Sequence, residues 1–294
     1  MNRLDPVTFR KRVAEFEAAV HACPEIAAFC SGPDWQWAAH QSLLSRNTTG
    51  NFLIAEEDGT WLLFQENSPS AFFPLESAWC FGCPVIGEPE AGISLLRKVT
   101  REWYPEGAGY LITGVRHNGD LHNALQELES EASRYSEFPT TDCMAIDLSQ
   151  GVDPWLQRRS RKFRRTIRNL AVPEDISIEA AHGVNPDELF ERMLGVQERT
   201  YKWMDGTDIL LGEAYCAFYR NLLERLSKKG AVRVHFARRG GEDIAYLFGG
   251  VSGKTFRGFQ MSYIEEVKSL GIGNSLQLEN MRSVHAEGIT HYDL

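Results

Sequence analysis

The C-terminal part of the chain constrains the fold most. Three apolar-rich runs follow one another closely: "AVRVHFARR" from Ala231, "EDIAYLFGGVSG" from Glu242 and "KTFRGFQMSYI" from Lys254. Short runs rich in β-branched and aromatic residues read as strands. Gly240-Gly241 joins the first two as a hairpin. Next comes "SLGIGNSLQLENMRSVHAEG", a glycine turn that opens at once into a helix, and "THYDL" reads as a closing strand. Hairpin, third strand, glycine turn, helix and strand make one α+β lobe.

The N-terminal half has a similar rhythm. Helical patterning covers residues 6 to 20 and 34 to 45. "FLIAEEDGTWLLFQ" reads as a hairpin through Asp58-Gly59, and "SAFFPL" and "SAWCFG" as further short strands. "EPEAGISLLRKVTREW" predicts a helix, "GYLITGV" a strand, "GDLHNALQELESEA" a helix and "DCMAIDL" a strand. A basic helix follows, with Asp153 and Pro154 at its start. Then come the strand "ISIEAAHG" and the helices "NPDELFERMLGVQERTYKW" and "EAYCAFYRNLLERLSKKG". The expectation is two α+β lobes, each a mixed, mostly antiparallel sheet flanked by helices, covering residues 1–148 and 149–294.

Charge is distributed unevenly. The chain carries 31 Lys+Arg against 40 Asp+Glu, a net −9, yet seven of the eleven residues from Arg158 to Arg168 are basic. The balance argues against general coating of nucleic acid, but a local patch still binds phosphate. On the basic helix, Leu156, Phe163, Ile167 and Leu170 form a narrow apolar stripe, so one side docks. The cations are then either a solvated face or a site for a polyanion. No apolar run reaches the ~18 residues of a membrane span, and the first residues do not read as a secretory signal, so a cytoplasmic location is expected. Of the six cysteines only Cys80 and Cys83 have metal-type spacing. They lack a second ligand pair, and no metal is expected.

The segment Lys268-Ser269-Leu270-Gly271-Ile272-Gly273-Asn274 has the ingredients of an anion cradle. Amides at a helix N-terminus are unpaired, the helix dipole favours negative charge there, and glycine lets the backbone come close. An ordinary glycine turn before a helix is the alternative. With the strand order around it, the segment resembles the pyrophosphate loop of the GNAT acyltransferases, Gln/Arg-x-x-Gly-x-Gly/Ala, with Lys268 at the first position. The wider chain looks like the two-lobed GNAT-type acyltransferases associated with cellulose and exopolysaccharide biosynthesis, themselves similar to the Fem-type peptidoglycan transferases. The likeness rests on "PDWQWAAH", "FFPL", the basic "KFRRTIRN", "ERTYKW", "AFYRNLLERL", the Ile244-Ala245 strand, Tyr263 before the loop, and "YDL" at 292–294.

The resemblance implies acyl-CoA held by Lys268, Leu270, Gly271, Ile272, Gly273 and Asn274, and direct attack by an amine acceptor, free or glycan-linked. Strand amides would stabilise the oxyanion. Glu265 or Glu266 would act as base, with a solvated loop as the other reading. Tyr263 would supply a proton to the thiolate or else sit in the core. Tyr201, Lys202, Arg164 and Arg168 would bind substrate or its phosphates. His235, on an apolar strand, reads as a satisfied core residue. Two departures stand out. The family pattern continues beyond Tyr292-Asp293-Leu294, so the sequence is either a fragment or builds its site otherwise. The first lobe has no glycine loop, since "CFGCPVIGEPEAG" lacks the spacing. Aminoacyl-tRNA as donor, held along 158–168, and a scaffold without catalysis are the alternatives.

Overall fold

The computed structural model describes residues 1–43, 50–76, 79–128, 134–168, 170 and 172–294. The chain divides into two compact units, Met1–Thr141 and Asp142–Leu294. Among the described residues no helix is long and apolar enough to cross a membrane.

The first unit contains β1 (Asn2–Arg3), α1 (Pro6–Lys11), α2 (Val13–Ala22), α3 (Ala28–Ser31), α4 (Pro33–Leu43), β2 (Phe52–Glu57), β3 (Thr60–Ser68) and β4 (Ala71–Pro74). It continues with β5 (Val85–Ile86), α5 (Pro89–Trp103), β6 (Gly109–Tyr110) and α6 (Asp120–Glu127). The sheet runs β1-β2-β3-β4-β6, with β5 also on β3, and all its pairs are antiparallel except β4–β6. The hairpin forms where the sequence predicts it: Asp58 and Gly59 both adopt positive φ, as a two-residue primed turn requires. Side chains alternate across the sheet. Leu53, Ala55, Leu62 and Phe64 pack with Leu95, Leu96 and Val99 of α5. Ile54, Trp61 and Leu63 pack with Phe9, Phe16 and Trp37. Both faces are covered, so residues 52–55 and 61–64 are apolar at every position rather than at every second one.

Two expected strands in this unit are replaced by irregular chain. Residues 77 and 78 of "SAWCFG" lie outside the described residues, and 79–82 form no strand. The amide of Gly82 is bound by the buried Glu76 carboxylate at 2.6 Å and that of Cys83 by Ser31 Oγ at 2.9 Å. Side chains take the donors that a ladder would have used. Of "GYLITGV" only Gly109–Tyr110 pairs as a strand, and Val115 meets Ile26 in an isolated bridge. Gly114, at φ 65°, lies so close to Phe81 and Gly82 backbone that a Cβ would meet the Phe81 carbonyl at 2.3 Å.

The second unit contains β7 (Ala145–Asp147), α7 (Val152–Gln157), α8 (Arg161–Arg168), β8 (Ile176–Ala180), α9 (Pro186–Gln197), α10 (Tyr201–Met204) and α11 (Glu213–Lys228). It ends with β9 (Val232–Arg239), β10 (Glu242–Ser252), β11 (Thr255–Tyr263), α12 (Ile272–Ala286) and β12 (His291–Asp293). The sheet order is β7-β12-β11-β10-β9-β8, antiparallel except for β11–β12. β7 pairs with β12, so this unit begins before the division expected at residue 148.

The predicted single basic helix is two. α7 ends at Gln157 and α8 starts at Arg161, where the Phe163 amide bonds Ser160 Oγ at 3.2 Å. Ser favours the cap position, and like charges one turn apart oppose a continuous helix. Gly151, not Asp153, precedes α7. Trp155 ties the two pieces together, edge-on to Phe163 at 5.9 Å and under the Arg159 guanidinium at 5.3 Å. The predicted helix over 185–203 also breaks, because Thr200 caps the short α10.

Opposite faces of this sheet carry different helices. Phe236 and Tyr246 meet α9: Arg192 lies over the Phe236 ring at 4.0 Å, and Tyr246 Oη donates to Gln197 Oε1 at 2.9 Å. Phe248 packs against Tyr219 of α11. Strand alternation puts Ala245 and Leu247 on the other face. Their β11 partners are Tyr263 and Met261, and both lie against Gly273 of α12. Arg192 also pairs with Glu179 on β8 and Asp243 on β10 at 3.0 and 2.8 Å, so a half-buried ion network fastens α9 to two strands.

Candidate active site

The site grows from an interruption in the sheet. β12 pairs with β11 only from Thr255 to Arg257, while β11 continues to Tyr263. The β12-facing edge of β11 beyond Arg257 is therefore open, a row of backbone groups without a neighbouring strand. A bulge at Phe248/Gly249 adds to the irregularity of β11 at the same level. What holds β12 in its short register is a buried stack: Tyr292 lies on Phe256 at 4.5 Å between centroids, and its Oη accepts from Asn280 at 2.9 Å and donates to Gln277.

The start of α12 lies on one face of that open edge. A 3-10 turn occupies Glu265–Leu270, Gly271 is left-handed at φ 64°, and α12 begins with Ile272. The segment expected as an open loop from Lys268 is thus wound up to Leu270, because short-range i to i+3 bonds take its amides. Asn274 N–H bonds the Gly271 carbonyl at 3.0 Å. The N–H groups of Ile272 and Gly273 find no partner among the described residues, and no side chain caps the helix. The free donors are fewer than the sequence predicts but sit at the two positions after the left-handed glycine. Gly273 is backed by the Met261 thioether and the Tyr263 ring. Gly271 is covered by Leu170: a Cβ there would lie 2.6 Å from Leu170 Cδ2. The basic α8 therefore runs toward the glycine turn.

The other face of the same edge holds a pocket of about 260 Å³ lined by Gln197, Tyr201, Lys202, Thr207, Asp208, Ile209, Gln260, Met261 and Ser262. Its wall is a polar network. Buried Asp208 accepts from Leu210 N–H at 2.8 Å and from Gln197 Nε2, while Gln197 Oε1 takes the Tyr246 proton. Gln260 donates to Tyr219 Oη at 3.0 Å. Burial pushes both tyrosine hydroxyls above their ordinary pKa, so they stay neutral donors and acceptors.

The structure gathers most of the sequence-predicted site residues here. Tyr201 and Lys202 line the pocket. Tyr263 closes β11 beside Gly273. Glu265 and Lys268 pair with each other at 2.9 Å, and this bond raises the ammonium pKa. The Lys268 ammonium lies 5.6 Å from the Tyr201 ring centroid. Ile272 is buried and Asn274 exposed. Arg164 and Arg168 stay on α8, where Arg164 donates to the Gln157 carbonyl. Sequence reasoning missed Gln197, Asp208 and Gln260. They come from a helix end, a loop and a strand, and no local spacing links them.

Outside the site, Cys83 is buried, which pushes its thiol up to about 12, while Cys80 is exposed. His235 is buried as expected, but its Nδ1 has no partner among the described residues, which corrects the expectation of a satisfied side chain.

A second unit with an α12-type glycine turn and a splayed β11–β12 pair, preceded by another mixed sheet with helices, defines a tandem GNAT-like α+β fold. Comparison with known proteins agrees. Residues 157–294 match the acetyltransferase (GNAT) domain family. The fold is similar to that of FemX, with TM-score 0.66 and 12% identity over 100% of this chain and 88% of that one. It is also similar to a conserved protein of unknown function from Bacteroides thetaiotaomicron, with TM-score 0.64 and 14% identity over 97% and 87% of the two chains. A tandem GNAT protein from the clavulanic acid biosynthesis pathway gives TM-score 0.51 and 14% identity over 99% and 87%. No curated protein sequence matches the chain. The domain match supports a transferase of the acyl class.

Proposed function

We propose that the second unit transfers an acyl group from acyl-CoA to an amine. One observation carries this reading: the open edge of β11 lies between an uncapped helix start on one face and a polar, carboxylate-bearing pocket on the other. A donor whose diphosphate rests on the Ile272 and Gly273 amides would lay its thioester along the edge. Leu270, Gly271 and Asn274 shape that turn. The free N–H groups of β11 would then face the carbonyl oxygen as it gains charge.

The acceptor enters from the pocket. Asp208 holds its ammonium, and Tyr201 and Lys202 border the mouth. Loss of a proton leaves the amine free to attack: the N–C bond forms, the C–S bond breaks, the thiolate takes a proton from Tyr263, and the proton shed by the acylated nitrogen restores the Tyr263 hydroxyl through solvent. Glu265, assigned as base from the sequence, is engaged by Lys268 and lines no part of the pocket. Asp208, acting through water, is the better-placed acceptor of the amine proton. Lys268 serves the phosphates only after leaving Glu265, so Arg164 and Arg168 on the approaching helix are the alternative cations. A glycan-linked amine is one acceptor class that suits an open pocket of this kind.

A second reading, aminoacyl-tRNA as donor, is favoured by α8. Arg161, Lys162, Arg165 and Arg168 form no ion pair among the described residues. A thermal-shift panel of acetyl-CoA, longer acyl-CoAs and tRNA separates the readings, because a ligand of the native state raises Tm by mass action. Stabilisation by an acyl-CoA, weakened at least tenfold in apparent affinity by Gly273→Val, is the expected result. A response to tRNA alone transfers the case to the second reading, and no response to any of them removes both.

A further inference from the structure

We propose that the first unit carries a divalent-metal site of the zinc class, built from His117, His122 and Glu137. It is independent of the transferase site and of its assignment. One donor atom from each of the three side chains lies within 4.8 Å of the others. His122 Nε2 is 3.2 Å and His117 Nδ1 is 3.4 Å from the same carboxylate oxygen, Glu137 Oε1. The two imidazoles meet edge to face, 4.9 Å between centroids.

Those spacings are compatible with coordination as well as with hydrogen bonding. A charge-assisted N–H···O⁻ bond settles at about 2.7–2.9 Å. Zinc binds His nitrogen and carboxylate oxygen at about 2.0–2.2 Å, so adjacent ligands of a tetrahedral ion stand about 3.3–3.5 Å apart. Both nitrogen–oxygen edges fall at or near that length. The remaining edge, between the imidazole donors, is within 4.8 Å and would have to shorten on binding; His117, being exposed, has room to move. Two imidazoles and one carboxylate are a zinc donor set that leaves a fourth position for water.

Local structure presents these groups in one place. His117 precedes a turn in which Asn118 takes positive φ (58°), and Gly119 caps α6. His122 is in the first turn of α6 and buried, whereas His117 and Glu137 are exposed enough for an ion to enter. Nδ1 of His122 is buried without a partner among the described residues. At that nitrogen neither neutral tautomer is partnered, so the ring is free to take the form with its proton on Nδ1, which leaves the Nε2 lone pair for a metal. An ion here would clasp the chain at Glu137 to α6, closing a loop of about fifteen residues. Cysteine spacing does not point to the site, and its ligands follow no short-motif spacing of their own.

The test uses the full, tag-free chain after chelator treatment. Zn²⁺ is titrated in competition with a chromophoric chelator, Co²⁺ is followed by its visible d–d bands, and Tm is recorded with and without Zn²⁺. The expected result is one equivalent bound, tetrahedral-type Co²⁺ absorption, and a Zn²⁺-dependent rise in Tm. His117→Ala and Glu137→Gln, both at exposed positions, each weaken Zn²⁺ at least tenfold and remove the absorption, with Tm in chelator unchanged. His122→Ala is not decisive, since its buried ring also packs. No stoichiometric binding, or binding untouched by both exposed substitutions, overturns the proposal and leaves a hydrogen-bonded triad.

Discussion

At the scale of single residues, two glycines of one motif have different physical duties. Gly271 is left-handed and crowded by Leu170. Gly273 has helical backbone, and its nearest obstacle is the flexible end of Met261 at 3.2 Å. Gly271→Ala is therefore expected to cost about 1–2 kcal/mol from the αL penalty, and Gly273→Ala clearly less, measured by urea unfolding. His235 gives a second residue-scale expectation. Burial, with His182 adding to it, holds its pKa at about 4 against an ordinary 6.5. The unfolded chain then binds the proton more tightly, so stability is full above pH 6.5 and falls as pH drops toward 4, where the loss levels off. The drop amounts to roughly 3 kcal/mol. His235→Leu should flatten that part of a Tm–pH profile. A profile unchanged by the substitution would mean that the ring is not buried neutral.

At the scale of elements, β12 decides whether the site is open. Its three residues pair with Thr255–Arg257 and leave the rest of β11 free. Tyr292 locks that register through Asn280, Gln277 and Phe256. Tyr292→Phe keeps the stack and removes the hydroxyl, stranding the buried Asn280 amide. A loss of about 1–3 kcal/mol is expected, along with a weaker response to acyl-CoA in the thermal-shift panel. Equal stability of the variant would show that water replaces the hydroxyl. Elements were legible in the sequence where period and turn chemistry agreed: β2–β3 through Asp58-Gly59, β9–β10 through Gly240-Gly241, α5, α11 and α12. They failed where side chains claimed backbone donors. Ser160 split the basic helix, Thr200 split α9 from α10, and Glu76 with Ser31 replaced a strand.

At the scale of the whole molecule, net charge −9 and a cluster of seven cations oppose each other. Surface fields beyond about 8–10 Å are screened at physiological salt, so the local cluster governs what an anion meets at α8. Replacing Arg161, Lys162 and Arg165 together with Glu is expected to lower affinity for a polyanion such as tRNA at least tenfold. The slope of log K against log salt should flatten by two units or more. Since α8 has no buried residue, Tm should barely change. An unaltered salt slope would identify the basic face as solvated only.

The sequence by itself determined the two α+β lobes, the antiparallel run from β9 to β11, the glycine turn at Gly271–Gly273 and the density of positive charge on α8. Each of these follows from side-chain period, turn chemistry or local charge, properties of neighbours along the chain. Only the tertiary structure decided that the turn keeps just two open amides, that Glu265 and Lys268 occupy one another, and that Gln197, Asp208 and Gln260 share a pocket. It likewise brought Glu137 to His117 and His122. Those outcomes depend on which distant groups reach a donor first, and packing settles that competition in three dimensions, where spacing along the chain carries no information.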